Sequence, residues 1–477
     1  MTTTYEADLK LFINGSWRLG EGREAHSVVN PATGQTIAEQ PLASEADLHE
    51  ALAASQKGFD HWRHVDVNER AAILHKAADL IRERTEHIAT LLTLEQGKPI
   101  GEARGEVISS AAMFDYFGEE AKRSYGRVLV RPTGQRAMVI KQPVGPVASF
   151  TPWNFPVYLM SKKLAAALAA GCSVIAKPPE ETPGCTSALM SCVINAGVPA
   201  GVAQVVYGVP DLVSRTLIAS PIIRKVSFTG SVPVGKHLMR LCADGVKRMT
   251  MELGGHAPVL IFDDCDFEKT MDMVVPQKFR NAGQVCVSPT RFYVQAGIYD
   301  RFVAGFTQRM KGYPVGNGMD AAMKMGPLAN PRRPAAIGAL VADAIAKGAT
   351  LNSGGDAYGD GYFFQPTLLS DVPLNADIMS NEPFGPVAVT RPFETLDEAL
   401  EEANRLPFGL ASYAFTTNIH TANAVADGLE SGMVGINTFA LSTHDAPFGG
   451  VKESGFGSEG GPEGLDGYYV TKAVHQA

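Results

Sequence analysis

Three side chains in this sequence have the types and surroundings that covalent chemistry on a carbonyl group requires. The first is Cys286, in FRNAGQVCVSP (279–289), a stretch too polar and too broken by glycine to be a buried strand. A thiol in such a loop can be reached by a substrate, and its thiolate is a strong nucleophile. A lone cysteine is also a common small core residue, so Cys286 alone leaves both interpretations open.

The other two are an acid and an amide. Glu252 lies in MELGG at the predicted end of a strand, where burial between Met251 and Leu253 would raise its pKa toward neutrality and suit it as a general base. Asn154 is fixed in TPWNFP between prolines and aromatic residues, and its neutral amide could stabilise an oxyanion. It could equally form only a turn before the following proline.

Alternating strands and helices must position these groups. Residues 11–40 predict a small β-meander, and Ser44, with Asp47 three residues later, is predicted to cap the first scaffold helix. From about residue 137, apolar runs alternate with helical segments, which predicts a doubly wound parallel sheet. The predicted strands are 137–141, 146–150, 173–177, 203–207 and 225–228. A second alternation from about 258 predicts another α/β domain, which contains Cys286.

The carboxyl ends of the predicted strands read TPWNFP, KPPE and FTGS, and ligands bind at such ends. Residues 230–237, GSVPVGKH, approach a P-loop but end in His where a Mg²⁺-binding Ser or Thr is needed, which argues against an ATPase. A strand ending at Phe228, followed by Gly230 and a helix starting near Pro233, would instead suit a dinucleotide pyrophosphate. A turn without a ligand is the other interpretation.

Composition excludes several classes of protein. A chain of 477 residues is longer than a single hydrophobic core usually supports, so two or more domains are expected. The net charge is −8 and no basic tract is present, which disfavours nucleic-acid binding. No signal peptide is visible, and the longest apolar stretch, 164–176, is too short to cross a membrane. The six cysteines show no metal-ligand spacing, which predicts a reduced, cytoplasmic protein without a metal.

Seven motifs occur in order across essentially the whole chain: TPWNFP, KPPE, FTGS, MELGG, GQVC, EPFGPV (382–387) and PFGGVKESGFG (447–457). Together they resemble the NAD(P)-dependent aldehyde dehydrogenase superfamily. The resemblance implies a Rossmann-like parallel-sheet cofactor domain, a second α/β catalytic domain and a small β oligomerisation element in a homodimer or homotetramer. We expect an NAD-binding domain at 1–125 and 147–253, a catalytic domain at 254–440, and oligomerisation strands at 126–146 and 455–477.

The resemblance also implies roles for the residues discussed above. Cys286 attacks the aldehyde, the Asn154 amide and the Cys286 backbone N–H hold the oxyanion, and Glu252 activates the water that hydrolyses the thioester. Lys177 and Glu459 complete the expected catalytic set. Lys177 contacts the adenosine ribose, and Glu459 matches a glutamate that relays protons from the base, although a serine here replaces the arginine that usually precedes it.

The expected cofactor is NAD rather than NADP. Glu180 would accept hydrogen bonds from a ribose 2′-hydroxyl and repel a 2′-phosphate. A water-activating base at Glu252 argues against the branch of the family that transfers the acyl group to CoA. The expected cofactor-binding residues are Thr151, Pro152, Trp153, Asn154, Lys177, Glu180, Gly208, Phe228, Thr229, Gly230, Ser231, Val234, Glu252, Leu253, Gly254, Cys286, Glu382 and Phe384.

The substrate is predicted from Arg280, six residues before the cysteine, where an arginine suits a carboxylate at the far end of the aldehyde. FRNAGQVC resembles the succinate-semialdehyde dehydrogenase subgroup, and Ser442 aligns with a serine of its carboxylate site. Lys162 stands where that subgroup has a second arginine, and Ser288 replaces its second cysteine. The tail also resembles 2-oxoglutarate-semialdehyde dehydrogenases, so both semialdehydes remain open.

Other interpretations also remain open. Arg280 could be a structural salt-bridge residue in a dehydrogenase of uncharged aldehydes, such as lactaldehyde or an aliphatic or aromatic aldehyde. The chain could also be a non-catalytic protein on the same fold, or a hydrolase that uses Cys286 without a cofactor.

Overall fold

The chain folds around two large, mainly parallel sheets. The structure, a computed structural model, describes residues 4–19 and 22–477. The strands in these ranges are β1 (Leu11–Ile13), β2 (Ser16–Arg18), β3 (Ala25–Asn30), β4 (Gln35–Pro41), β5 (Arg127–Leu129), β6 (Arg136–Pro143), β7 (Val147–Phe150), β8 (Val174–Lys177), β9 (Ala203–Val205), β10 (Lys225–Thr229), β11 (Arg248–Glu252), β12 (Pro258–Ile261), β13 (Arg291–Gln295), β14 (Thr350–Ser353), β15 (Ala357–Tyr358), β16 (Phe363–Phe364), β17 (Thr367–Ser370), β18 (Val387–Phe393), β19 (Phe408–Gly409), β20 (Ala411–Phe415), β21 (Met433–Ile436), β22 (Val451–Lys452), β23 (Gly455–Phe456) and β24 (Tyr469–Gln476).

Helices cover both sheets. The first helix is capped as predicted, because the Ser44 hydroxyl accepts from the Asp47 N–H while the Asp47 carboxylate accepts from the Ser44 N–H. The α-helices are α1 (Glu45–Trp62), α2 (Val67–Glu83), α3 (Thr85–Gln96), α4 (Ile100–Glu120), α5 (Pro156–Ala170), α6 (Pro183–Asn195), α7 (Pro210–Ala219), α8 (Val232–Ala243), α9 (Phe267–Phe279), α10 (Tyr299–Met310), α11 (Arg332–Ala346), α12 (Leu396–Asn404), α13 (Ile419–Gly428) and α14 (Gly461–Asp466). Among the described residues, no helix has the length and apolar character needed to cross a membrane.

The first sheet has the strand order β2-β1-β9-β8-β7-β10-β11-β23, and its central five strands are parallel. The chain moves outward from β7 through β8 to β9, then returns to β10 on the other side of β7. This reversal is a topological switch point, where a crevice opens at the carboxyl ends of the two strands. The crevice therefore lies between the segments after Phe150 and Thr229.

The second sheet has the order β14-β17-β18-β13-β12-β20-β21 and is parallel apart from β14. One hydrophobic core gathers residues between 11 and 253, together with three apolar residues of the tail, and a second gathers residues between 257 and 448. The α/β class with a Rossmann-like sheet and a second α/β unit is therefore confirmed.

Two local predictions were wrong. The predicted meander is two separate hairpins: β1 and β2 join the first sheet through β9, whereas β3 and β4 form a separate two-stranded sheet. Residues 137–141 lie in β6, which belongs to an antiparallel sheet of order β24-β6-β5 and not to the parallel sheet. Too few residues separate β6 from β7 for the helical crossover that a parallel connection requires.

Candidate active site

A cavity of about 350 Å³ opens at the switch point, between the two cores. Its walls come from the ends of β7, β10 and β11, from the first turns of α5, and from the loop after α9. It is lined by Pro152, Trp153, Asn154, Phe155, Tyr158, Leu159, Lys162, Thr229, Gly230, Ser231, Glu252, Leu253, Gly254, Arg280, Val285, Cys286, Val287, Arg333, Glu382, Phe384, Ser442 and Phe448. The predicted nucleophile, base and amide donor thus share one cavity.

An unusual turn delivers Cys286 to this cavity. After α9 the backbone is left-handed at Asn281 (φ 48°), Ala282 (φ 52°) and Gly283 (φ 71°). Gly283 is required for a second reason, because a Cβ there would overlap the carbonyl oxygen of Gly385. Strained backbone of this kind persists only where the surroundings hold it in place, and it collects at functional sites.

The Cys286 thiol is protonated in this environment at neutral pH. Burial raises its pKa to about 12, and the nearby carboxyl groups of Glu382 and Glu252 add to that effect. The Lys162 ammonium acts in the opposite direction. Attack by the sulfur therefore requires loss of the thiol proton.

Glu252 is placed to accept a proton in the same cavity. It ends β11, is 2% exposed, and its carboxylate oxygens find no hydrogen-bond partner among the described residues. Burial, helped by the charge of Glu459, raises its pKa well above the usual value, while Lys163 and Lys162 counteract the shift. A carboxylate so poorly solvated accepts a proton readily.

Glu459 lies outside the cavity lining and forms a buried ion pair with Lys163 of α5. The Lys163 Nζ also donates to the Ser227 hydroxyl at 3.1 Å. The backbone of Glu459 is fixed by reciprocal hydrogen bonds of 2.7 Å with Phe448. This arrangement puts a charged, hydrogen-bonded pair next to Glu252.

Asn154 is 3% exposed and lies at the turn between β7 and α5. Its Nδ2 donates to the Gln284 carbonyl oxygen at 3.1 Å, in the loop that carries Cys286. An amide nitrogen has two hydrogens, so one remains for an oxyanion. The side chain can therefore serve as an uncharged oxyanion donor.

The end of the cavity at the switch point has features that suit a cofactor. The hydroxyl groups of Thr151 and Thr229, at the ends of β7 and β10, are buried and lack hydrogen-bond partners within the described ranges. Gly230 allows close approach, since a Cβ there would overlap the Phe228 ring, and α8 begins two residues later. Free donors and a helix N-terminus fit a dinucleotide.

The remaining predicted cofactor residues divide into two groups. Glu382 and Phe384 line the cavity, where burial raises the pKa of Glu382 to about 8 and Phe384 packs edge-to-face on Trp153 at 5.6 Å. Lys177 forms an ion pair with Glu180 beyond β8. The predicted residues outside the cavity lining are Thr151, Lys177, Glu180, Gly208, Phe228, Val234 and Glu459.

The opposite end of the cavity carries two cations. Lys162 is 2% exposed, and its Nζ has no hydrogen-bond partner among the residues described. It lies 3.9 Å from the centroid of the Phe448 ring and 5.0 Å from that of Tyr158. Arg280 is exposed at the rim, 5.2 Å from the Phe155 ring centroid. The Ser442 hydroxyl donates to the Tyr158 hydroxyl at 3.3 Å.

The profile of the aldehyde dehydrogenase family matches residues 17–474. The chain belongs to the aldehyde dehydrogenase family. It is 49% identical to 4-(hydroxymethyl)benzenesulfonate dehydrogenase TsaD1 of Comamonas testosteroni over 100% of this chain and 99% of that protein. It is 42% identical to the succinate-semialdehyde dehydrogenase [NADP(+)] of Escherichia coli strain K12, over 96% of each chain.

The crystal structure of betaine aldehyde dehydrogenase from Staphylococcus aureus in complex with NAD⁺ superposes with a TM-score of 0.96. That protein is 34% identical, with 98% of this chain and 95% of the other covered. This aldehyde dehydrogenase is therefore an oxidoreductase that acts on aldehydes, in a family that uses NAD or NADP.

Sequence reasoning missed several residues of this aldehyde dehydrogenase's site. Tyr158 and Phe448 shape the end of the cavity that carries Lys162, and Arg333, which donates to the Pro383 carbonyl oxygen, lines the cavity near Glu382. The ion pair of Glu459 with Lys163 was also missed. Its only signal was a second lysine directly after Lys162 in an otherwise apolar helix.

Proposed function

We propose that this aldehyde dehydrogenase oxidises short aldehydes with an anionic group at the far end, succinate semialdehyde or 2-oxoglutarate semialdehyde, and releases the free acid. The observation that carries the proposal is the Lys162 ammonium, buried in the cavity wall without a hydrogen-bond partner among the described residues. An unpaired buried charge is costly, and a substrate carboxylate would supply the missing partner. Arg280 at the rim and the Ser442 hydroxyl extend the same end of the cavity.

In the proposed mechanism, Cys286 is the nucleophile. Its Sγ bonds to the aldehyde carbon as the thiol proton passes to a water molecule, and the new oxyanion accepts hydrogen bonds from Asn154 Nδ2 and the Cys286 backbone N–H. A bound NAD(P) supplies the acceptor for the hydride that leaves this carbon, and the enzyme is left as a thioester. Glu252, after passing its proton toward Glu459, deprotonates the water that releases the acid and restores the thiol.

A second substrate class is favoured by the aromatic walls around Lys162. The Phe448 and Tyr158 rings would pack on the faces of an aryl aldehyde while Lys162 or Arg280 met a para sulfonate. TsaD1, the 49% identical relative, carries an arylsulfonate in its name. The two candidates share an anion at the far end and differ in the spacer.

The test measures kcat/KM for succinate semialdehyde, 2-oxoglutarate semialdehyde, butyraldehyde, 4-formylbenzenesulfonate and benzaldehyde. Each is repeated in Lys162→Met and Arg280→Ala. A charge-assisted contact of about 1.5–3 kcal/mol predicts that an anionic aldehyde loses about 10- to 150-fold of its advantage over the uncharged partner. If butyraldehyde and benzaldehyde match the anions in the wild type, the anionic-substrate proposal is wrong and the family's chemistry stands.

For the cofactor we propose a preference for NAD over NADP. The carboxylate of Glu180, held by Lys177, supports this preference because it would repel a 2′-phosphate. Relatives are named or solved with either cofactor, so the preference is a property to measure. Glu180→Gln should raise kcat/KM with NADP and leave that with NAD little changed, whereas an unchanged ratio would remove Glu180 as the determinant.

We also propose that the division into NAD-binding, catalytic and oligomerisation segments holds in a cytoplasmic homodimer or homotetramer. The exposed Val128 and Val130, at the β5 edge of the three-stranded sheet, support pairing with a second copy. All six cysteines are unpaired, which suits a reducing compartment. Light scattering on the wild type and on Val128→Lys should show a smaller particle for the variant.

A further inference from the structure

A buried ion pair lies next to the active site without lining its cavity. Lys98, just before α4, and Glu106, within α4, meet at 2.6 Å between Nζ and Oε2, and their side chains are 0% and 1% exposed. The Lys98 Nζ also lies 3.9 Å from the centroid of the Phe155 ring. Burying two charges costs free energy, so a buried pair in this position is expected to stabilise a particular part of the structure.

The Lys98–Glu106 pair forms hydrogen bonds with the backbone on both sides of the turn that carries Asn154. The Lys98 Nζ donates to the Asn154 carbonyl oxygen at 2.7 Å. The other carboxylate oxygen of Glu106 accepts from the backbone N–H groups of Val157 and Tyr158, at 3.0 and 3.1 Å. These N–H groups belong to the first turn of α5 and have no partners within the helix. One ion pair therefore fixes the backbone just before and just after Phe155.

The same carbonyl connects Asn154 to the loop of the nucleophile. The Asn281 Nδ2 donates to the Asn154 carbonyl oxygen at 2.9 Å, beside the Lys98 ammonium. Asn281 is held in turn by Gln96, whose Nε2 donates to its Oδ1 at 2.8 Å. Because Asn154 Nδ2 also donates to the Gln284 carbonyl oxygen, the amide and the cysteine loop are joined at two points.

We propose that Lys98, held by Glu106, is a positioning residue for the oxyanion site: it fixes the Asn154 amide relative to the Cys286 backbone N–H. The inference rests on the proposed role of Asn154 as an oxyanion donor. Charge on the oxyanion exists only after the sulfur has attacked, so misplacing the donor slows acylation and leaves substrate binding largely unchanged.

The experiment follows the pre-steady-state burst of NADH with NAD and a saturating aldehyde in Lys98→Met, Asn154→Ala and the double variant. Removing one oxyanion donor costs about 100- to 1000-fold, so we expect a loss of that size for Asn154→Ala and about 10- to 100-fold for Lys98→Met, with KM for the aldehyde within about twofold. In the Asn154→Ala background the further change Lys98→Met should have little effect on the burst rate.

Two further variants separate positioning from folding. Lys98→Met/Glu106→Gln removes both charges, so no unpaired charge is buried. The amide oxygen of the new glutamine can still accept from the N–H groups of Val157 and Tyr158. This double variant should show the same slow burst as Lys98→Met. Leu189→Ala, an apolar truncation in the same core, should keep the wild-type burst rate in the folded enzyme.

The outcomes are distinguishable. A wild-type burst in the folded Lys98→Met/Glu106→Gln variant would overturn the inference. The inference would also be overturned if the fold-losses in burst rate of Lys98→Met and Asn154→Ala multiplied in the double variant, because the two residues would then act independently. A wild-type burst in Asn154→Ala itself would instead overturn the proposed oxyanion role of Asn154.

Discussion

Replacing Lys163 with methionine should both destabilise the fold and leave less of the Glu252 carboxyl ionised at neutral pH. The side chains of Lys163 and Glu459 are 0% and 6% exposed, and their ion pair joins α5 to the segment before α14. Removing one partner leaves a buried, uncompensated charge, which costs about 3–5 kcal/mol of unfolding free energy. At about 2 °C per kcal/mol for a large domain, the apparent Tm should fall by about 6–10 °C.

The matched control is Lys163→Met/Glu459→Gln, which removes both charges from the same place. Because a neutral pair of similar volume is tolerated where a broken pair is not, the double variant should recover most of the lost Tm. Calorimetry of the wild type and both variants at one scan rate and one pH measures these Tm values.

The catalytic consequence has a defined sign. The Lys163 ammonium lowers the pKa of Glu252, so its loss raises that pKa further. The limb of the pH–rate profile that rises with pH should move to higher pH, and turnover at pH 7 should fall. If the single and double variants have equal Tm values, the ion pair is not the buried interaction described here.

Three further predictions concern the chemistry of the cavity. Glu252→Gln should keep a burst of NADH, while deacylation slows about 100- to 10,000-fold. Stopped flow measures the burst, and steady-state turnover measures deacylation. Equal loss of burst and turnover would contradict the role of Glu252 as the water-activating base. Because burial raises the Cys286 pKa, alkylation of this thiol by iodoacetamide should be slow at pH 7 and become about tenfold faster per pH unit up to about pH 10. Lys162→Met should slow the alkylation further at each pH, because the Lys162 ammonium lowers the Cys286 pKa. An alkylation rate independent of pH would show that the thiolate is already present. Gly283→Ala should misplace the cysteine loop and lower both Tm and burst amplitude. Gly338→Ala, within α11, should lower neither, because no atom of the described residues lies within 4 Å of the added Cβ.

Local patterns in the sequence predicted much of the fold. The strands around 146–150, 173–177 and 225–228 were found because buried parallel strands are continuous apolar runs bounded by turn residues. The run at 137–141 has the same composition yet pairs with the distant tail in β24. Nothing within five residues distinguishes the two cases; the short connection to β7 does, because it leaves no room for a crossover.

Some residues of the site could likewise be predicted from the sequence, and others could not. Cys286, Glu252 and Asn154 could be singled out because each is a polar residue in a segment whose neighbours would not bury it without a reason. Lys163 and Lys98 could not, because a lysine in a helix or turn ordinarily lies in water. Their burial depends on the carboxylates of Glu459 and Glu106, and the first of these lies 296 residues away.

The most direct test of the account is mass spectrometry of Glu252→Gln quenched after one turnover with NAD and succinate semialdehyde. The account predicts a succinyl thioester on the peptide that contains Cys286, formed in step with NADH and absent from Cys286→Ser. NADH formation without any acyl adduct on Cys286 would contradict it, because the aldehyde would then have been oxidised without a bond to the cysteine.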